Sequence, residues 1–142
     1  MENLEDELFE LSEDEVSRYA RHISLPQVGI SGQLKLKQSS VLCIGAGGLG
    51  SPLLLYLAAV GVGRIGIIDY DLVEESNLQR QVIHSVDYLG NPKTSSAKER
   101  IMKINPYCQV DIYSFPLTNL NALELIDKYQ VVCDCTDNFP SR

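Results

Sequence analysis

Apolar residues in this chain gather in short runs separated by polar, glycine-rich punctuation, and the runs change period as the chain proceeds. Ser40 to Ile44 becomes continuously apolar from Val41, as in a strand buried on both faces. Six residues, Gly45-Ala46-Gly47-Gly48-Leu49-Gly50, then break the run. The pattern beyond predicts a helix over about Leu49 to Val60, with Ser51 and Pro52 in its first turn, where a missing N–H costs little, and Gly61 and Gly63 ending it. Arg64 to Asp71 reads as a second strand with Ile65, Ile67 and Ile68 in the core. Asn91-Pro92 opens a helix over Lys93 to Ile104 whose apolar face is Ala97, Ile101 and Ile104, and Asn105-Pro106 closes it. Val110 to Phe115, Asn121 to Tyr129 and Val131 to Thr136 follow as strand, helix and strand. This alternation predicts an α/β fold, Rossmann-like and doubly wound, around a mainly parallel sheet.

Short N-terminal helices are expected before that unit. Ser12 and Glu15 form a capping box that opens a helix over Glu13 to His22. Leu25-Pro26 ends it, Gly29 and Gly32 lie in a loop, and a second short helix runs from about Gln33 to Gln38. Val73 to His84 is too polar for a core strand and too long for an idle turn, so it is expected to cover something. The predicted organisation is an acidic, mobile lead-in over residues 1–12 and one domain over residues 13–142. No helix follows the last strand to cover it, which reads as a partial protein with an exposed sheet edge.

Composition narrows the function classes. A chain of 142 residues has the length of one domain, and its 44% hydrophobic and 22% charged shares are those of a globular protein. No apolar run reaches the ~20 residues of a membrane span, the longest (Leu53 to Val62) being interrupted by Gly61. The net charge of −7 is concentrated at the start, where residues 1–17 hold eight acids and no Lys or Arg, leaving eleven acids against twelve bases. That balance argues against a nucleic-acid surface, and the acidic opening resembles neither a signal nor a transit peptide, so a cytoplasmic location is expected. Cys43, Cys108, Cys133 and Cys135 contain no C-x-x-C pair and read as reduced structural thiols, with Cys133 and Cys135 on one strand face.

The candidate chemistry lies at one edge of the expected sheet. Gly45, Gly47 and Gly50 match G-x-G-x-x-G in strand–turn–helix context, and Asp69 lies about 20 residues on, where a carboxylate takes a ribose hydroxyl. The turn permits backbone amides to approach phosphate at the positive end of the helix dipole. A glycine-rich turn that only packs a helix on a strand is the plain alternative. Arg80 offers a planar fork for phosphate oxygens and Lys93 a movable point charge, against readings as a surface ion pair and a helix-terminal lysine. Lys93 sits at the end of its helix that disfavours a structural cation. Asp137 with Asn138, just past the last strand, suits Mg²⁺, although an Asp-Asn turn cap has the same sequence. Charge clamps with a metal fit phosphoryl or nucleotidyl transfer. An NAD-dependent oxidoreductase accounts for the glycines and Asp69 but leaves Arg80, Lys93 and Asp137 unused. A non-catalytic nucleotide-binding or scaffold fragment is the third reading.

The runs RYARHISLPQVGISGQLKL, GAGGLGSP, YLAAVGVGRIGIIDYD, SNLQRQVIH, GNPKTSSA and DCTDNFPSR together resemble the ubiquitin-activating-like family of MoeB, ThiF and HesA, from about Arg18 to Arg142. The resemblance implies an adenylyltransferase that uses Mg·ATP to activate the C-terminal Gly-Gly carboxylate of a ubiquitin-like sulfur-carrier protein, releasing pyrophosphate, in molybdopterin, thiamine or thiolation chemistry. It implies that Gly48 contacts ATP, Asp69 holds the ribose, and Ser76, Asn77, Leu78, Gln79 and Arg80 surround the triphosphate. It also implies that Lys93 meets phosphate and that Asp137, with Asn138, binds Mg²⁺ and nucleotide. Arg21 matches an arginine that a homodimer presents to the neighbouring subunit's ATP. The family's second half, with its carrier-binding surface, cysteine and any zinc site made by two C-x-x-C pairs, is absent from this sequence.

Overall fold

The computed structural model describes residues 10–136. Ten regular elements follow one another there: α1 (Glu13–Arg18), α2 (Ala20–Ile23), α3 (Gly29–Lys37), β1 (Ser40–Ile44), α4 (Gly50–Val60), β2 (Arg64–Ile68), α5 (Lys93–Ile104), β3 (Gln109–Tyr113), α6 (Ala122–Ile126) and β4 (Val131–Asp134). Two 3₁₀ turns, Glu75–Asn77 and Val86–Tyr88, punctuate the long connection between β2 and α5. The strands form one parallel sheet in the order β3-β2-β1-β4. In register, Ile44 at the end of β1 is flanked by Ile68 on β2 and Asp134 on β4. The chain therefore winds outward from β1 in both directions, which opens a crevice at the carboxyl ends of β1 and β4.

Both faces of the sheet are covered. Val41, Cys43, Ile65 and Ile67 pack with Leu54 and Ala58 of α4 and Ala97 and Ile101 of α5 on one face. Leu42, Ile44 and Ile68 pack with Leu125 of α6 and Tyr129 on the other. Leu54, Ile65, Ile67 and Ile101 are fully buried. Each contributes about 1.5–3 kcal/mol relative to an exposed side chain. The edge strand β4 is less covered, with Val131 half exposed.

Several elements differ from the expected bounds. The helix expected over Glu13 to His22 has the Ser12–Glu15 capping box but breaks at Tyr19. Tyr19 is buried there, and its hydroxyl accepts a hydrogen bond from Asn105 Nδ2 at 2.6 Å. Helix α3 starts at Gly29, earlier than expected, held by the buried Gln33, whose Nε2 donates to Val60 O at 2.8 Å, and by Lys37, paired with Glu15 at 2.8 Å. Strand β2 stops at Ile68 because Asp69 turns the chain with its own carboxylate. β3, α6 and β4 are likewise shorter than expected. The expected bounds of α5 hold. The lead-in falls mostly outside the described residues.

Candidate functional site

A cavity of about 510 Å³ opens at the carboxyl ends of β1 and β2, within the size range of small-molecule sites. Gly45, Gly47, Gly48, Asp69, Arg80 and Lys93 all line it, so six of the residues singled out by sequence share one wall system. Gly45 has φ +100°, a backbone conformation that favours glycine. Gly50 lies behind the cavity, in the first turn of α4, where a Cβ would sit 2.1 Å from Gly45 O. Any side chain at Gly50 would push the turn off the helix. The α4 N-terminus has no side-chain cap; the Ser51 N–H is bonded to Gly47 O at 2.9 Å and Pro52 has none, so the Gly50 N–H is the first-turn amide left for an anion.

Asp69 ties the two strand ends together. Its Oδ2 accepts from the N–H of Ala46 at 2.9 Å and its Oδ1 from the N–H of Asp71 at 2.8 Å. Each carboxylate oxygen has a second lone pair for a ligand hydroxyl. Lys93 is brought beside it by an antiparallel bridge between Leu72 and Pro92, and its N–H donates to Asp71 O at 3.0 Å. Lys93 is only 6% exposed, and its Nζ pairs with Asp71 Oδ2 at 3.8 Å, longer than a hydrogen bond. Arg80 lies over Gly48, where an added Cβ would come 3.7 Å from its Nε. Two cations thus share the cavity with the glycine turn, while Ile68, Phe115 and Leu117 supply an apolar wall.

The connection from Val73 to His84 covers the site, as its polarity suggested. Ser76, Asn77, Leu78 and Gln79 do not line the cavity; they shape the loop that carries Arg80. Asn77 Oδ1 accepts from the Glu74 N–H at 2.9 Å, and Ser76 O accepts from Gln79 Nε2 and Arg80 Nη1. Arg21 is exposed on α2 and lies outside the cavity. Its neighbours Tyr19 and Gln33 dock at the Ala58–Val60 end of α4, one helix length (about 15 Å) from the glycine turn. Asp137 and Asn138 lie outside the described residues, but Thr136, just before them, lines the cavity.

Three site residues escaped sequence reasoning. His84 is buried and clamps the loop to the turn: Nε2 lies 2.8 Å from Ala46 O and Nδ1 2.7 Å from Ser96 Oγ. A carbonyl only accepts, so Nε2 carries the proton and Nδ1 accepts from Ser96. Burial holds His84 below the usual histidine range; the Ala46 carbonyl opposes this and Lys93 reinforces it. Gln81 is buried and lines the cavity. Cys135 lines it too, 3.8 Å from Cys43 Sγ. A hydrogen bond donated by Cys43 lowers the Cys135 thiol to about 7, against burial, and raises Cys43. Cys43 has one proton for Cys135 and for Gly45 O at 3.4 Å, and serves one at a time. All three fall within the runs that carry the family resemblance, but no local spacing gave any of them a role.

The four cysteines are free thiols. No group of three or more His, Cys, Asp or Glu among the described residues is placed to hold a metal. No helix among them is long and apolar enough to cross a membrane.

The ThiF family model matches residues 19–142. The chain is 52% identical over 129 residues to "Probable molybdopterin-synthase adenylyltransferase" of Porphyra purpurea, covering 91% of this chain and 34% of that protein. It is 53% identical over 132 residues to "Probable adenylyltransferase/sulfurtransferase MoeZ" of Mycobacterium tuberculosis, covering 93% and 34%. The chain thus spans about a third of the length of these curated relatives. Among solved structures, the E. coli tRNA threonylcarbamoyladenosine dehydratase TcdA in complex with ATP aligns with a TM-score of 0.84 at 29% identity, over 91% of this chain and 53% of that one. E. coli MccB with MccA aligns with a TM-score of 0.70 at 32% identity, over 75% and 32%.

Proposed function

The chain belongs to the ThiF family, and from that premise we infer that its cavity binds ATP and serves an adenylyltransferase acting on the C-terminal Gly-Gly carboxylate of a ubiquitin-like sulfur-carrier protein. The observation that carries the reading is the convergence of an uncapped helix N-terminus, Arg80 against Gly48 and a buried Lys93 in one cavity. A buried ammonium with one long ion pair favours a second anion, and a polyphosphate provides it. Relatives named as adenylyltransferases and an ATP-bound structural neighbour support the same choice.

In this reading the Asp69 carboxylate takes the ribose hydroxyls while keeping its two backbone bonds. Gly45, Gly47, Gly48 and Gly50 let the chain approach the phosphates, and Ser76, Asn77, Leu78 and Gln79 hold the loop that aims Arg80. A carrier carboxylate oxygen attacks the α-phosphorus; the new P–O bond forms as the bond to the β-phosphate oxygen breaks, giving acyl-adenylate and pyrophosphate. Arg80 and Lys93 stabilise the charge gathering on the departing pyrophosphate. Arg21, remote from its own glycine turn, reaches the ATP of the partner in a homodimer. Asp137 holds Mg²⁺ and Asn138 the nucleotide. The oxygen donors at this edge, Asp71 and Thr136, also suit a hard cation. When bound, Mg²⁺ neutralises polyphosphate charge. Residues 13–142 form the ATP-binding unit behind the acidic lead-in, and four free thiols accord with a cytoplasmic location.

The test is exchange of labelled pyrophosphate into ATP by the full-length protein. Exchange that requires a ubiquitin-like protein ending in Gly-Gly is expected. Carrier-dependent release of ADP would replace adenylation by a kinase-like reaction.

A further inference from the structure

Gln81 follows Arg80 on the loop over the glycine turn, and its backbone N–H donates to Asn77 O at 2.8 Å. Its side chain is 4% exposed, yet it lines the cavity. Nε2 lies against Gly47, 3.5 Å from where a Cβ would stand. Oε1 is buried with no hydrogen-bond partner. Buried polar atoms in folded proteins are nearly always partnered, because an unpaired one gives up its hydration with nothing in return. An apolar side chain of the same length fills this space without that cost. The carboxamide is thus poorly explained by packing and well placed for a polar ligand.

The chemistry of the neighbours says which part of a ligand it meets. Arg80 and Gly47 border the phosphate side of the cavity, while Phe115 and Leu117 form the apolar side. We propose that Gln81 is a nucleotide-contacting residue whose carboxamide grips the polyphosphate beside Gly47, an assignment that rests on the ATP reading of this cavity. A carboxamide is neutral and has a donor end and an acceptor end of nearly equal size. Nε2, the end that lies beside Gly47, is the one on the phosphate side and donates to a phosphate oxygen. Gln81 thereby adds a neutral donor to the wall that holds Arg80 and Lys93, fixing where the phosphates sit rather than only attracting them.

The discriminating variant is Gln81→Met in the full chain, which keeps the length and removes hydrogen bonding. Calorimetric titration with Mg·ATP and with adenosine, alongside thermal unfolding without ligand, separates the roles. The proposal expects a free-chain Tm equal to or above wild type, ATP binding about tenfold weaker, the worth of one hydrogen bond, and adenosine binding unchanged. Gln81→Glu, of the same size but negative, should weaken ATP binding at least as much and supplies the answer if the Met variant does not fold. Wild type that fails to bind ATP overturns the nucleotide reading, and this assignment with it. Wild type that binds ATP while both variants bind equally well overturns the role of Gln81 alone. Equal losses for ATP and adenosine place the contact away from the phosphates and overturn it too. A Met variant with a much lower free-chain Tm makes Gln81 a structural residue, against the proposal.

Discussion

Replacing Asp69 by alanine should destabilise the fold before any nucleotide is present. Its carboxylate accepts the Ala46 N–H at 2.9 Å and the Asp71 N–H at 2.8 Å, so it joins the end of β2 to the start of the glycine turn. Ala46 is fully buried, so its amide has no solvent to turn to. Losing a hydrogen bond to a charged acceptor there costs about 1.5–3 kcal/mol. Asp71 is exposed and its amide rehydrates, adding roughly 0.5–1 kcal/mol. The loss of about 2–4 kcal/mol is a large share of a total stability on the order of 5–15 kcal/mol. At roughly 4 °C per kcal/mol for a chain of this size, Tm should fall by about 8–16 °C. Asp69→Asn keeps one acceptor oxygen and should lose about half as much. Thermal unfolding of the nucleotide-free full chain reads this directly. An alanine variant that melts within about 2 °C of wild type would show that the two bonds do not hold the turn. The result matters for function as well, because weaker nucleotide binding by Asp69→Ala reports on the proposed ribose contact only after the loss of fold is subtracted.

Three further outcomes follow from the site. His84 is held below its ordinary value, so the unfolded chain binds the extra proton first, and stability should fall as pH drops through about 6.5 toward the folded value. Its ring bonds to the Ala46 carbonyl and Ser96 and feels the charges of Lys93 and Asp69; His84→Gln should flatten the change in urea midpoint between pH 7.5 and 5.5, and an unchanged slope would contradict it. Cys135, lowered to about 7 and lining the cavity, should be alkylated by iodoacetamide with a pH midpoint near that value, and ATP should slow the reaction; peptide mass spectrometry showing a midpoint near 9 or no protection would refute this. Mixing full-length Arg21→Ala with full-length Asp137→Ala should restore pyrophosphate exchange through one intact site per mixed dimer; if subunits exchange and no activity returns, Arg21 does not act across an interface.

Much of this site is local in sequence, which is why it was legible. The turn Gly45 to Gly50 and the strand before it lie within a dozen residues, and glycine spacing encodes a backbone conformation directly. Helix α5 is bounded by two Asn-Pro pairs, and its span was readable. What was not legible depends on contacts between distant residues. The break at Tyr19 is set by Asn105, and the early end of β2 reflects a carboxylate reaching back to Ala46. The burial of Gln81 and His84 comes from a loop folding onto the glycine turn, and the Cys43–Cys135 contact from pairing of β1 with β4. Polar residues in a loop carry no periodicity, so nothing along the chain separates those facing water from those facing a cavity.

The central claim, that this cavity is built for a triphosphate and not for a dinucleotide, is tested most directly by calorimetric titration of the full chain with Mg·ATP and with NAD. Binding of Mg·ATP at least tenfold tighter than NAD, with the preference abolished by Lys93→Met, is the predicted result. NAD binding tighter than Mg·ATP, or a preference that survives removal of the Lys93 charge, would contradict it.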